Sequence, residues 1–280
     1  MKFNKFVWEL YVQSQRGKEA LGRFSNLTEE FIEEWSRELP VELCEEGEDE
    51  TTEEVAIKSV DFFKSGMAGR RFEDLDAAQT HFREVLVRNG IPWQIEGEEV
   101  TTPITLEDSE WYDYVAAVSL GFHLAQPELF LPYNFRTKFN QLDEIHTGFS
   151  IPLPPVPGKH DKAGRGHYYL AVNEAWQEFR LLHGLSPVEM CAFLYDFAPE
   201  FTTPLNANDL PSPSKVWLIS GGTWDFEFAD SSSDKSVTHW GGNAGVRRGD
   251  ILMMYLVSPR SAIQAIWRAS CDGFIDPFFH

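Results

Sequence analysis

Asp143 and His146, in the stretch "DEIH", stand one helical turn apart. That spacing can bring a carboxylate and an imidazole together for general acid–base chemistry. His160, Asp161 and His167 follow in a Lys-rich loop, but their spacing fits no familiar zinc pattern, and they read as unrelated surface groups. Cys44, Cys191 and Cys271 stand apart, with no CxxC and no base near them in the sequence, so no activated thiolate is expected. His183 precedes the helix-ending Gly184, where the helix dipole favours a cation. No P-loop, GxSxG elbow or HExxH helix occurs. The chain thus carries no enzyme signature, and neither a metal nor a cofactor is expected. A hydrolase working from the Pro-rich, basic middle stretch is one alternative; it would require carboxylates or histidines clustered in a cleft.

The elements that would hold such residues are mainly helices. In the first third, "TEEFIEEWSREL" starts at Thr28 as N-cap, places Glu29 and Glu30 in the first turn, and stops before Pro40. "TTEEVAIKSVDFFKSG" fits a capping box of Thr51 and Glu54 with Gly66 past its end. "FEDLDAAQTHFREVLVRNGIP" is the clearest helix, closed by Gly90 and Pro92, and "EWYDYVAAVSLGFHLAQP" reads as another. The four prolines between Ile151 and Gly158 force an extended run. Around it lie Arg136, Lys138, Lys159, Lys162 and Arg165, the densest basic cluster. A helix from about Leu170 to His183 is followed by Ser186, Pro187 and Glu189, the start of a second helix. This αα-hairpin has the outline of a helix-turn-helix. However, "PVEMCAFLYDF" offers apolar and acidic side chains where major-groove readout needs Arg, Lys, Asn or Gln, so it reads as core.

Charge divides the chain. Residues 1–110 hold 26 acids and 12 bases, residues 111–210 hold 11 and 6, and residues 211–280 hold 7 and 6, within a total of −20. The first third would repel a polyphosphate, and the last third would tolerate one. Three domains are expected: an acidic helical region at 1–110, a helical region with the Pro-rich basic loop at 111–210, and a β-rich domain at 211–280 beyond the polar stretch "TTPLNANDLPSPSK". Sparse thiols suggest a reducing cytoplasm. There is no signal-peptide h-region, and no apolar run is long enough to span a membrane.

In the last third, "KVWLISGG" is a strand ended by two glycines. "VRRGDILMMYLV" enters another through Gly249-Asp250, and "SAIQAIWRAS" reads as its antiparallel partner across "SPR". "VWLISGGTWDF", "HWGGNAGVRRGDILMMY" and "SAIQAIWRASCDGFIDPF", in that order, resemble the EVE domain of the PUA-like superfamily, related to YTH and ASCH modules. The resemblance covers about 64 residues. It departs from the family in a short loop before Gly249-Asp250. It also stops at His280, where such domains run on for roughly as many residues again; the sequence therefore reads as the first half of a barrel, either in a fragment or completed by earlier residues.

The resemblance implies an α+β chain ending in a small PUA-like barrel that binds DNA or RNA through a pocket for one flipped, often modified, base. A base outside its stack is held by aromatic faces and read along its edge. Trp224 and Trp240, on glycine-flanked loops, would wall the pocket, with Ser220 and Asn243 as hydrogen-bonding groups. Gly221, Gly222, Gly241 and Gly242 would let a flat ligand approach the backbone. Arg247 and Arg248 would meet phosphate, and Asp250 would fix the turn. Trp217 and Trp267, within strands, read as core. By analogy with the family, the helical part would serve a restriction or defence system. The remaining alternative is an interaction protein whose acidic half docks a basic partner; it would show a concentrated apolar patch.

Overall fold

The computed structural model describes residues 3–36, 60–61, 64–65, 71–88, 91–95, 98–102, 115–158, 160–202, 210–231 and 240–278. The chain divides into two compact units, one of residues 1–203 with 276–279, the other of residues 204–275 with 280. The architecture is α+β. Asp276–Phe278, part of the stretch that carries the resemblance, pack with the first unit. The proposed capping box at Thr51 and Glu54 and the thiol of Cys44 lie outside the described residues. Among the described residues no helix is long and apolar enough to cross a membrane.

The first unit opens with α1 (Lys5–Gln13), α2 (Gln15–Ser25) and α3 (Glu29–Ser36). Asn4 caps α1 by accepting from the Phe6 and Val7 amides, Ser14 caps α2 at Gly17, and Thr28 accepts from Phe31 as the sequence predicts. Next comes α4 (Leu75–Arg88), then a hairpin absent from the sequence reading, β1 (Ile91–Ile95) with β2 (Glu98–Thr102), paired antiparallel from Ile91↔Thr102 to Ile95↔Glu98. Among the described residues the unit continues with α5 (Val115–Ala125), α6 (Phe139–Phe149), α7 (Lys162–His183), α8 (Pro187–Ala192) and α9 (Ala198–Thr202). A π-helical turn, Phe193–Phe197, joins α8 to α9. Asp161 caps α7, so this helix begins about two turns before Leu170. Gly184 ends it in the left-handed conformation, and the Ser186–Glu189 capping box starts α8.

A stretch of chain that is neither helix nor strand runs through this core. Phe130, Leu131, Tyr133 and Phe135 are all buried, against α5, α7 and the π-helical turn that holds Tyr195. Backbone polar groups taken out of water must find partners, and here side chains supply them. Asn173 donates to Leu129 C=O and accepts from Leu131 N–H, both at 2.9 Å. Tyr169 donates to Leu131 C=O, and Tyr195 donates to Pro132 C=O while accepting from Asn134 N–H. Ser119 accepts from Tyr133 N–H at 2.8 Å, and Asp276 accepts from Thr137 N–H. Aromatic rings fill the space around it, with Tyr133 stacked on Trp176 at 5.9 Å and Phe135 on Tyr195 at 5.0 Å.

Among its described residues the second unit holds three strands, β3 (Val216–Gly221), β4 (Ile251–Leu256) and β5 (Ala262–Arg268), in the order β3-β4-β5. β3 and β4 run parallel, joined by a crossover that contains a 3₁₀ turn (Thr223–Asp225) and α10 (Phe226–Ser231). β4 and β5 form an antiparallel hairpin that includes a cis Ser258–Pro259 bond. A register shift at Met254/Tyr255 faces Gln264, which explains the imperfect alternation along "AIQAIWR". Among the described residues this is an open mixed sheet, and a closed barrel is not seen. One face carries the core, formed by Ile219, Met254 and Leu256 with Ala229 of α10; Leu252, Ala265, Phe226, Trp240 and Trp267 pack around them.

Candidate functional site

The turn into β4 fixes the local geometry. Gly249 has φ +90°, and a Cβ there would lie 2.5 Å from Pro211 O, so the position requires glycine. Asp250 beside it is fully buried, and its carboxylate accepts five hydrogen bonds. Oδ1 takes the Ser214 amide, the Ser214 hydroxyl and the Lys215 amide; Oδ2 takes the Trp217 indole and the Arg247 amide. The Trp217 indole and the Ser214 hydroxyl hold this carboxyl well below the usual carboxylate range. Asp250 is therefore an internal tie that joins the segment before β3, the Arg247 loop and β4, and its oxygens are committed to the fold.

Trp240 follows from that frame. Its ring is half-buried, 5.9 Å from Trp267 and 6.0 Å from Phe228, and the last two rings are 6.1 Å apart. These three rings, each with part of its surface exposed, make one aromatic wall. The chain then leaves through Gly241 and Gly242, where an added Cβ would meet almost nothing. Asn243 is exposed, and its Oδ1 accepts from Gly245 N–H at 2.7 Å, leaving the amide nitrogen outside that turn. Gly245 lies against the Trp217 ring, so the loop runs beside the same side of the sheet.

The other residues singled out in the sequence are spread more widely. Ser220 is exposed, and strand alternation places it on the face opposite to Ile219 and Gly221, hence away from Trp240. Gly221 is buried, and a Cβ there would strike Leu256 and Met254 at 2.8 and 2.9 Å; its smallness serves packing. Trp224 belongs to the 3₁₀ turn, and its side chain lies outside the described residues. Arg247 is exposed and pairs with Asp272 at 3.0 Å, while the Arg248 amide donates to the other oxygen of Asp272 at 2.7 Å. Trp267 and Phe228 were missed as site residues. The β4–β5 register, which sets Trp267 opposite Leu252 on the core side, is the feature that brings Trp267 to Trp240, and it depends on a bulge that the sequence alone does not reveal.

The catalytic candidates of the first unit do not assemble. His146 is buried; its Nδ1 donates to Pro152 O at 3.1 Å, and its Nε2 accepts from the Trp176 indole at 2.9 Å, while Asp143 is exposed. Burial pushes the imidazole down to about 4. Asp161 is spent on capping α7 at Gly164. His183 packs between Phe3 and Phe179, with both ring centroids 4.4 Å away, and burial lowers its pKa. Cys191 is fully buried, and burial pushes its thiol up. Among the described residues no three His, Cys, Asp or Glu side chains are grouped to hold a metal ion. Comparison of the chain with family models, curated proteins and solved structures gives no match.

Proposed function

We propose that the C-terminal unit is a nucleic-acid recognition module of EVE-like type, which takes one unstacked, modified base of DNA or RNA against the Trp240 ring. The observation that carries this reading is the wall of Phe228, Trp240 and Trp267, which is part-exposed and opens onto an uncrowded Gly-Gly-Asn turn. A flat π-system gains from stacking on such rings. Asn243 supplies an edge-reading amide, and a phosphate can compete for Arg247, because an exposed ion pair with Asp272 is weak in water. Ser220 plays no part in this arrangement. The test is a binding panel of plain and modified oligonucleotides in DNA and RNA, read by tryptophan fluorescence. One modification should be retained over the others, and Trp240→Ala should weaken it about 5- to 150-fold, the value of one lost stacking contact. Equal weak binding to every oligonucleotide, unaffected by Trp240→Ala in a folded protein, overturns the reading.

A second reading is favoured by α1, whose outward side exposes Phe6 (68%) and Leu10 (54%) in the acidic third of the chain. An exposed apolar pair one turn apart suits the apolar face of an amphipathic helix, and the acids of this third, which gather from Glu29 onward, would favour a basic one. Titration with such a peptide should show saturable binding that is lost in Phe6→Ser/Leu10→Ser; no saturation, or no effect of the double substitution, removes this reading.

A further inference from the structure

The link between α6 and α7 has a regular backbone of its own. Over residues 151–157 every position is either a proline or the residue before one, and the run belongs to no helix or strand. Proline fixes its own φ at about −65°, and its ring pushes the preceding residue out of the helical region. The whole run is thereby confined to polyproline II geometry, a left-handed helix of about three residues per turn and about 3.1 Å rise. Burial follows that period. Pro152, Pro155 and Gly158 are exposed, while Leu153, Pro154, Val156 and Pro157 between them are half-buried. One ridge of the helix therefore faces water, and it carries two proline rings at Pro-x-x-Pro spacing, about 9 Å apart.

The inner side of the run is tied to the helices. Ile151 N–H donates to His146 O at 2.9 Å, His146 Nδ1 donates to Pro152 O, and the Tyr168 hydroxyl donates to Pro154 O at 3.0 Å. Gly158 O accepts from Asp161 N–H at 2.9 Å, at the start of α7. Among the described residues no donor meets the carbonyls of Pro155, Val156 and Pro157. The segment thus combines a fixed conformation, a row of proline rings and open acceptors.

We propose that this ridge is a docking element for a partner domain with a groove lined by aromatic side chains, N–H or O–H donors beside them, and an acidic rim. Proline rings repeating at this spacing fit flat between aromatic rings, and the open carbonyls suit donors such as an indole N–H or a phenol O–H. An added partner strand does not fit, since the prolines have no N–H to pair. Charge points the same way. The sequence just past the ridge holds Lys159, Lys162 and Arg165 against Asp161, a local positive excess in a chain of net charge −20. The ties to His146 and Tyr168 order the ridge during folding, so little ordering is left for the moment of binding.

The test is titration of the full chain against a panel of immobilised SH3 and WW domains, whose grooves are of this kind. Saturable binding to at least one domain is expected. Pro155→Gln, a change at an exposed position, should weaken it about tenfold or more, and Pro152→Ala/Pro155→Ala should do the same. Urea unfolding of each variant shows whether the first unit stays folded. Leu182→Ser, at an exposed apolar site outside the run, should bind as the wild type does. Removing the indole from the groove of the bound domain should abolish binding. A panel in which no domain binds saturably overturns the proposal, as does binding that survives Pro155→Gln or the loss of the groove indole.

Discussion

His146 offers the sharpest test of the first unit, because its environment dictates both the sign and the size of an acid effect. The ring is buried, Nδ1–H faces Pro152 O, and Nε2 has the Trp176 N–H as its donor. A second proton would have to enter at Nε2, where it would meet another N–H and remove the acceptor from Trp176. The folded imidazole therefore titrates at about 4, against an ordinary value near 6.5 in the unfolded chain. Above pH 6.5 both states are neutral and stability is unaffected. As pH falls below 6.5 the unfolded chain takes up a proton that the folded chain refuses, and stability drops until pH 4, below which the two states titrate alike. The drop should total about 3 kcal/mol, with a slope of about 1.4 kcal/mol per pH unit inside the window. His123, also lowered by burial, and the carboxylates contribute to the total pH dependence. The informative quantity is therefore the difference between the wild type and His146→Gln, in which the shared contributions cancel. Urea unfolding of both proteins at intervals from pH 7.5 to 4 gives that difference. The variant should be the less stable at pH 7.5, and the gap should close by about 3 kcal/mol toward pH 4. Parallel curves would refute the assignment of a neutral, Nδ1-protonated His146.

Asn173→Leu should destabilise the first unit by about 3 kcal/mol in urea titration, because it leaves Leu129 C=O and Leu131 N–H buried without partners. Tyr195→Phe removes one hydroxyl that serves both Pro132 C=O and Asn134 N–H, and a loss of about 2 kcal/mol is expected in the same assay. Gly249→Ala should cost the second unit about 2 kcal/mol or more, through its positive φ and the contact with Pro211 O, seen as faster amide exchange in β4 and β5 with the first unit unchanged. Asp250→Asn should act in the same place, since an amide nitrogen cannot accept from both the Trp217 indole and the Arg247 amide; unchanged exchange around Trp217 would count against the tie described for this carboxylate.

Local signals in the sequence reached as far as local interactions do. The Ser186–Glu189 box, the Gly184 stop and the Thr28 cap were readable because each depends on residues within one turn. The strands around Leu218, Met253 and Ile266 were readable from branched and apolar runs bounded by glycine or by a turn. What could not be read was who pairs with whom. The parallel β3–β4 pairing requires a crossover whose path is not written in either strand, and the β1–β2 hairpin has Pro92 inside it, a residue that argues against a central strand. The run from Leu129 to Asn134, whose centre is buried, was invisible for a similar reason. Its partners, Ser119, Asn173 and Tyr195, are drawn from helices up to 63 residues away. In the candidate site, Trp240 was singled out because glycines flank it, and Ser220 was chosen for its neighbours in sequence, although alternation turns it to the other face.

A three-stranded sheet has two faces, and a residue's place along a strand decides which one it serves. Odd positions of β3 (Trp217, Ile219, Gly221) turn inward, toward α10 and the aromatic wall; even positions (Val216, Leu218, Ser220) turn to the outer face. The strand end near Asp250 is locked by five hydrogen bonds, so neither face can slip by one residue without breaking that tie. Register, rather than any single side chain, is thus what holds a π-rich surface on one side and a mostly apolar, acid-free surface on the other. A substitution on the outer face that leaves the register intact should therefore spare the inner one: Trp240→Ala should weaken oligonucleotide binding, and Leu218→Ser should leave it unchanged.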